Sequence, residues 1–154
     1  MRSEVDLKGN VWTIPASRMK GKRPHRVPLT DRAVEIAAAF MPDGDKDGPL
    51  FPGAKPGKPL SNMSLLAVLS RMKLDRYTVH GFRSTFKDWA RDLTDFPNEL
   101  SEAALAHVIA DKTEAAYARS TMFAKRRRMM EAWQAFMDGR PTADNVVEIG
   151  RAAS

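Results

Sequence analysis

Beyond residue 30, apolar residues recur every three or four positions, whereas near the start of the chain they alternate with polar ones. The alternation falls in "VWTI" (11–14) and "RVPL" (26–29), and the Pro- and Gly-punctuated stretch between them predicts a β-hairpin. "TDRAVEIAAAFM" predicts a helix capped by Thr30, with Val34, Ala37, Ala38 and Met41 on one face, broken by "PDGDKDGP". "LFPGAKPGKPL" is too rich in Pro and Gly for regular structure. Ser61 is the expected cap of a second helix, whose Leu65, Leu66, Leu69 and Met72 should face the core. A third helix is expected from about Thr78, with Val79, Phe82, Phe86, Trp89 and Leu93 on its packing face and His80, Arg83 and Lys87 on another. Pro97 closes that segment and Asn98 opens "NELSEAALAHV"; "DKTEAAYARS" and "FAKRRRMMEAWQAFM" continue a helical second half. The segment 139–154 has no helical period, and its "NVVEI" is a candidate strand or docking peptide in an otherwise flexible tail.

Composition narrows this picture. The 154 residues, 43% of them hydrophobic, suffice for one core and one domain. No run of about 18 apolar residues occurs and no secretory pattern opens the chain, so neither membrane insertion nor export is indicated. There is no cysteine, which removes disulfides, thiol nucleophiles and Cys-based zinc sites, and three scattered histidines do not suggest a metal centre. The net charge of +6 favours a polyanionic partner, because phosphates reward clustered Lys and Arg through counterion release. Arg18, Lys20, Lys22, Arg23 and Arg26 crowd the hairpin loop without an acid among them. Lys125 to Arg128 lie within the helical pattern of Met122, Met129, Trp133, Phe136 and Met137, and read as a solvated helix face.

Two histidines, an arginine beside one of them, a lysine-bearing loop and a tyrosine soon after the second histidine form a set suited to metal-free phosphoryl transfer. Attack of a phenol on a phosphodiester needs cationic donors for the nonbridging oxygens, an acid for the leaving alkoxide and help with the phenolic proton. No Gly-x-Ser-x-Gly elbow, phosphate loop or dinucleotide glycine fingerprint is present. Taken on its own, Tyr117 reads as a half-buried helix tyrosine.

"HGFRSTF" (80–86) followed by "LAHVIADKTEAAYARS" (105–120) resembles the two C-terminal signature boxes of tyrosine recombinases, and "VWTIPASRMKGKRPHRVPLT" (11–30) closely resembles the hairpin of phage and genomic-island integrases. The resemblance covers about residues 1–138 in three ordered blocks. It implies an α+β fold, mainly α-helical, with a small antiparallel hairpin or sheet packed on a helical catalytic core over 1–138, followed by the tail 139–154. It further implies site-specific recombination of prophage or genomic-island DNA through a 3′-phosphotyrosyl intermediate, without cofactor or metal. Tyr117 would be the nucleophile, Arg83 a bidentate donor to the nonbridging oxygens, and His80 a phosphate ligand or a helper with the tyrosine proton. His107 would donate a further hydrogen bond to the phosphate. Lys20 would protonate the leaving 5′-oxygen; Lys22, two residues on, shares its side if the loop is extended. Arg18, Lys22, Arg23, His25, Arg26 and Lys87 would contact DNA.

Partners implied by the resemblance are duplex DNA, sister protomers in a tetramer on DNA, and an accessory DNA-bending protein, in a bacterial cytoplasm at the nucleoid. "FAKRRRMMEAWQAFM" or "NVVEI" would be the element passed to a neighbour. The family also uses an earlier arginine, ahead of the stretch that "MRSEVDL" resembles, and an amino-terminal clamp domain. Neither has a counterpart in these residues, so the chain is expected to be a carboxy-terminal segment with weak activity or none by itself. The alternatives are a non-catalytic DNA-binding or assembly remnant, and a DNA-relaxing enzyme with the same tyrosine chemistry.

Overall fold

The structure, a computed structural model, describes residues 1–41, 48–107 and 119–140, with only the backbone described for 119–121. Tyr117, the predicted helix around it and the tail beyond residue 140 lie outside the described residues. The architecture is α+β and mainly helical, as the sequence pattern implies. The chain divides into two units, Met1–Phe82 and Arg83–Ser154.

The first unit holds a three-stranded antiparallel sheet in the order β1-β2-β3, with β1 at Val5–Asp6, β2 at Val11–Ile14 and β3 at His25–Pro28. Asp6 turns the chain between β1 and β2: its Oδ1 accepts from the amides of Lys8 at 3.0 Å and Gly9 at 2.9 Å, and Asn10 completes the turn at φ 52. In the β2–β3 ladder Val11 faces Pro28 and Ile14 faces His25. Pro28 lacks a donor and is tolerated because β3 is an edge strand.

Helix α1 spans Asp31–Ala39, and Thr30 caps it as predicted, its hydroxyl accepting from the Ala33 amide at 3.4 Å. Within the Pro- and Gly-rich segment the backbone folds into a small loop, where Gly53 N donates to Lys58 O at 2.7 Å and Leu60 N to Phe51 O at 3.1 Å. The Gly53 position requires glycine, since a Cβ there would meet the Pro59 carbonyl oxygen at 2.5 Å. Helix α2 is Ser64–Arg71, so Ser61 lies a turn earlier than a cap would; its hydroxyl meets that of Ser64 at 3.1 Å. The expected core face of α2 is also corrected. Leu69 is buried, but Leu65 and Met72 are 56% and 61% exposed among the described residues, so the stripe is only partly covered.

Helix α3 spans Gly81–Asp92 and begins later than the pattern suggests, because Thr78 folds back as a turn: its Oγ1 accepts from the Gly81 amide at 3.0 Å. His80 therefore precedes the helix. From Arg83 onward the chain builds the second unit, with α4 at Asn98–Ala104 and α5 at Arg119–Met137. Its core joins Phe86, Trp89 and Ala90 of α3, Leu100 of α4 and Met129 of α5, with Leu93, Phe96 and Trp133 packed around them. Trp89 is central. Its ring lies 5.0 Å from that of Trp133 and 5.7 Å from that of Phe86, contacts that add to the transfer energy of the buried area. The indole Nε1 of Trp89 is buried without a partner among the described residues, which offsets some of that gain.

The cationic run on α5 is not a uniformly solvated face. Lys125 and Arg128 are exposed, but Arg126 is buried, its guanidinium 5.6 Å from the Phe123 ring and donating to the Ala103 carbonyl at 3.3 Å. Among the described residues no helix is long and apolar enough to cross a membrane.

Met129 has no exposed surface, so Met129→Ala removes buried methylenes and leaves a cavity between α3, α4 and α5. We expect a loss of about 2–5 kcal/mol in urea unfolding followed by Trp fluorescence; a loss within the scatter of surface substitutions would contradict this packing.

Candidate functional site

The end of α4 organises the candidate site of the second unit. After Ala104 the chain turns at Ala106, whose φ of 56 is left-handed, and two amides fold back onto the helix: Ala106 N donates to Ala103 O at 3.3 Å and His107 N to Glu102 O at 3.0 Å. This is a Schellman closure, which usually places glycine at the left-handed position. Its consequence is that His107 lies against Glu102 although five residues separate them. The Glu102 carboxylate meets His107 Nδ1 through Oε2 and receives the Lys87 ammonium on Oε1.

Arg83 approaches the same turn from the first part of α3. Its NH2 donates to the Leu105 carbonyl at 2.7 Å, supplying a partner for an oxygen that the helix end leaves unsatisfied. Arg126 of α5 adds a second donor to the Ala103 carbonyl, which the Ala106 amide already bonds. The structure thus brings two of the predicted phosphate ligands, Arg83 and His107, to one helix end. Lys87, predicted to contact DNA, has its ammonium committed within the unit to Asn98 Oδ1 at 2.6 Å, Ser101 Oγ at 2.8 Å and Glu102. Hydrogen bonds from Lys87 and then His107 hold the Glu102 carboxyl below its ordinary value of 4.5, against the opposing effect of burial.

The hairpin cations lie in the first unit. Between β2 and β3, a 3-10 turn at Ala16–Arg18 leads into a tight turn in which Lys22 N donates to Met19 O at 3.0 Å. Lys22 adopts φ 52, so the loop is turned rather than extended and the premise that would align Lys20 with Lys22 does not hold. Lys20, Lys22 and Arg23 are exposed, and their side chains have no partner among the described residues. Arg18 is different: it pairs with Glu4 at 2.6 Å, and Glu4 also accepts from Trp12 Nε1 at 3.1 Å. Burial would raise the Glu4 carboxyl, but hydrogen bonds from Trp12, Arg18 and the amino terminus, with the charge of that terminus, together lower it below the ordinary value. His25 is half-buried opposite Ile14, Arg26 is exposed opposite Thr13, and His80 is exposed ahead of α3. A cavity of about 300 Å³ along α2, lined by Met63, Leu66, Leu69 and Tyr77 among others, contains none of the predicted site residues. Among the described residues no group of three His, Cys, Asp or Glu side chains could hold a metal ion.

Glu102, Glu4 and the strained Ala106 escape a sequence reading. Glu102 and His107 are not neighbours at helical spacing and meet only once the helix end folds back. A Glu five residues before the histidine, with Lys87 on the adjoining helix to hold it, is the signal that was available.

The chain is 39% identical over 132 residues to prophage integrase IntA of Escherichia coli (strain K12), a match spanning 84% of this chain and 32% of that protein. Its relatives are prophage integrases. Prophage integrase IntZ of the same organism is 31% identical over 135 residues, 87% of this chain and 33% of its own length. The integrase of Shigella phage Sf6 is 28% identical over 137 residues, 87% of this chain and 35% of its own. The chain therefore spans about a third of the length of these integrases. No family model matches it, and no solved structure does.

Two measurements check the helix end. Ala106→Gly relieves the left-handed alanine and should stabilise the protein by about 1 kcal/mol in urea unfolding; destabilisation would contradict the assigned turn. Because the folded Glu102 carboxyl titrates below its unfolded value of 4.5, its contribution to stability is complete above that pH and is lost as pH falls through the lower, folded value. Stability measured from about pH 6 to pH 3 should fall less steeply in Glu102→Gln than in the wild type.

Proposed function

We propose that the chain is the catalytic segment of a tyrosine-type site-specific DNA recombinase, serving integration or excision of a prophage or genomic island. The observation that carries this reading is the helix end where the Arg83 guanidinium bonds the Leu105 carbonyl, two residues before His107. It keeps a planar guanidinium and an exposed imidazole in one neighbourhood, a combination suited to the nonbridging oxygens of a phosphodiester. The similarity to prophage integrases over most of the chain supports the same reading.

Tyr117 is the proposed nucleophile. Its phenolate oxygen bonds to phosphorus as the bond from phosphorus to the 5′-oxygen breaks, leaving a 3′-phosphotyrosyl link and a 5′-hydroxyl. Arg83 and His107 stabilise the charge on the phosphoryl oxygens, His80 takes the phenolic proton of Tyr117 or bonds the phosphate while water takes that proton, and Lys20 supplies the proton taken by the departing 5′-oxygen. The hairpin cations Lys22, Arg23, His25 and Arg26 contact the duplex backbone. Such contacts set register and affinity without reading bases. Arg18 is tied to Glu4 and serves this interface by bracing the loop. Duplex DNA, sister protomers in a tetramer and an accessory bending protein are the proposed partners, in a bacterial cytoplasm.

The resemblance calls for one more active-site arginine, which these residues do not contain. A missing charge-stabilising donor costs on the order of 3 kcal/mol in a comparable transition state, so slow cleavage is expected of this chain alone. Incubation with a nicked suicide duplex should give a slow covalent adduct that Tyr117→Phe abolishes and Arg83→Ala reduces by about 10²–10³-fold. A sulfur in place of the 5′-bridging oxygen leaves without a proton, so it should rescue Lys20→Ala and leave Arg83→Ala impaired. An adduct that survives Tyr117→Phe would overturn the assignment. Salt-dependent DNA binding with no adduct at all would instead make the chain a binding module.

A further inference from the structure

Glu102 has no role in the chemistry described so far, yet its carboxylate joins two residues that do have proposed ones. One oxygen meets His107 Nδ1, and the other receives the ammonium of Lys87, which Asn98 Oδ1 and Ser101 Oγ also hold. We propose that Glu102 is the positioning residue of His107, fixing its ring orientation and its tautomer, with Lys87 in turn fixing Glu102. The inference rests on the reading of His107 as a phosphate ligand only for its functional meaning.

The argument is one of donors and acceptors. A carboxylate can only accept, so the Nδ1 it meets carries the proton and Nε2 is left as the outward nitrogen. Fixing one ring nitrogen through a hydrogen bond is how proteins select which nitrogen serves a ligand. The backbone reinforces this choice, because the His107 amide bonds the Glu102 carbonyl and ties the two residues together at the helix end. Lys87 prevents the carboxylate from turning away: three acceptors on α4 and the segment that opens it surround its ammonium, and Glu102 is the charged one. His107 itself is 47% exposed on its side chain, so its free edge is open to a ligand from solvent.

Long-range proton–nitrogen NMR of the imidazoles, recorded on the full 154-residue chain, reads the tautomer directly. His107 should show a protonated Nδ1 and a bare Nε2, whereas exposed His80 should show the Nε2-protonated form that free imidazoles prefer. Glu102→Gln keeps the shape but offers both a donor and an acceptor to Nδ1, so the His107 preference should be lost; Lys87→Met should weaken it while leaving Glu102 in place. Amide spectra and Trp fluorescence confirm that each variant remains folded. A His107 tautomer matching that of His80 in the wild type, or one unchanged in folded Glu102→Gln, overturns the proposal. Adding a duplex oligonucleotide tests the underlying reading separately: a shift of His107 Nε2 is expected if the ring meets phosphate. A selected tautomer without that shift would uphold the positioning role and remove the DNA role from His107.

Discussion

The carboxy-terminal end of α4 is where the second unit is tied together. A helix end leaves carbonyl oxygens without partners; here that of Leu105 accepts from Arg83 on α3, and Arg126 on α5 adds a donor to that of Ala103, which the fold-back already bonds. Both donors are cations at the negative end of a helix dipole, the favourable arrangement. Three helices thus converge on one turn of backbone, above a core in which Trp89, Leu100 and Met129 supply the apolar contact. The same turn carries His107. Packing and the candidate site therefore share this turn, in which Ala106 holds a left-handed conformation that glycine would adopt with less strain.

The hairpin follows a different logic. Its cations are held by few contacts, and its order comes from one acid: Glu4 joins the start of the chain to Trp12 in β2 and to Arg18 at the mouth of the loop. Beyond that anchor, Lys20, Lys22 and Arg23 extend into solvent on a tight turn. Exposed cations on a braced loop suit a partner whose phosphates arrive from outside, since each charge keeps its hydration until a phosphate replaces it. In the second unit Lys87 shows the converse, a cation whose acceptors are already present and which acts as scaffold.

Periodicity revealed those parts of the fold that depend on local rules. Thr30 capping α1, the alternating strands and the packing face of α3 at Phe86 and Trp89 all follow from residue type and spacing. Where a partner element had to be supplied, the pattern misled. The apolar stripe of α2 resembles a core face, yet Leu65 and Met72 are exposed, because amphipathicity states what a helix can bury and not whether a neighbour is there to cover it. The run Lys125 to Arg128 reads as solvated, yet Arg126 turns inward to the Ala103 carbonyl on α4.

The sequence by itself supplied the functional groups on which the proposed chemistry rests. Its His, Arg, Lys and Tyr boxes, its lack of cysteine and its basic hairpin need no coordinates to point to phosphodiester chemistry, because they depend on which functional groups exist and in what order. Tertiary structure decided which of those groups are available. Arg83 and Lys87 sit one turn apart on the same helix, yet one bonds a carbonyl near His107 and the other is held by Asn98, Ser101 and Glu102. That difference arises from where α4 ends and how its backbone folds back, and a fold-back joining residues five apart leaves no trace in a period of 3.6.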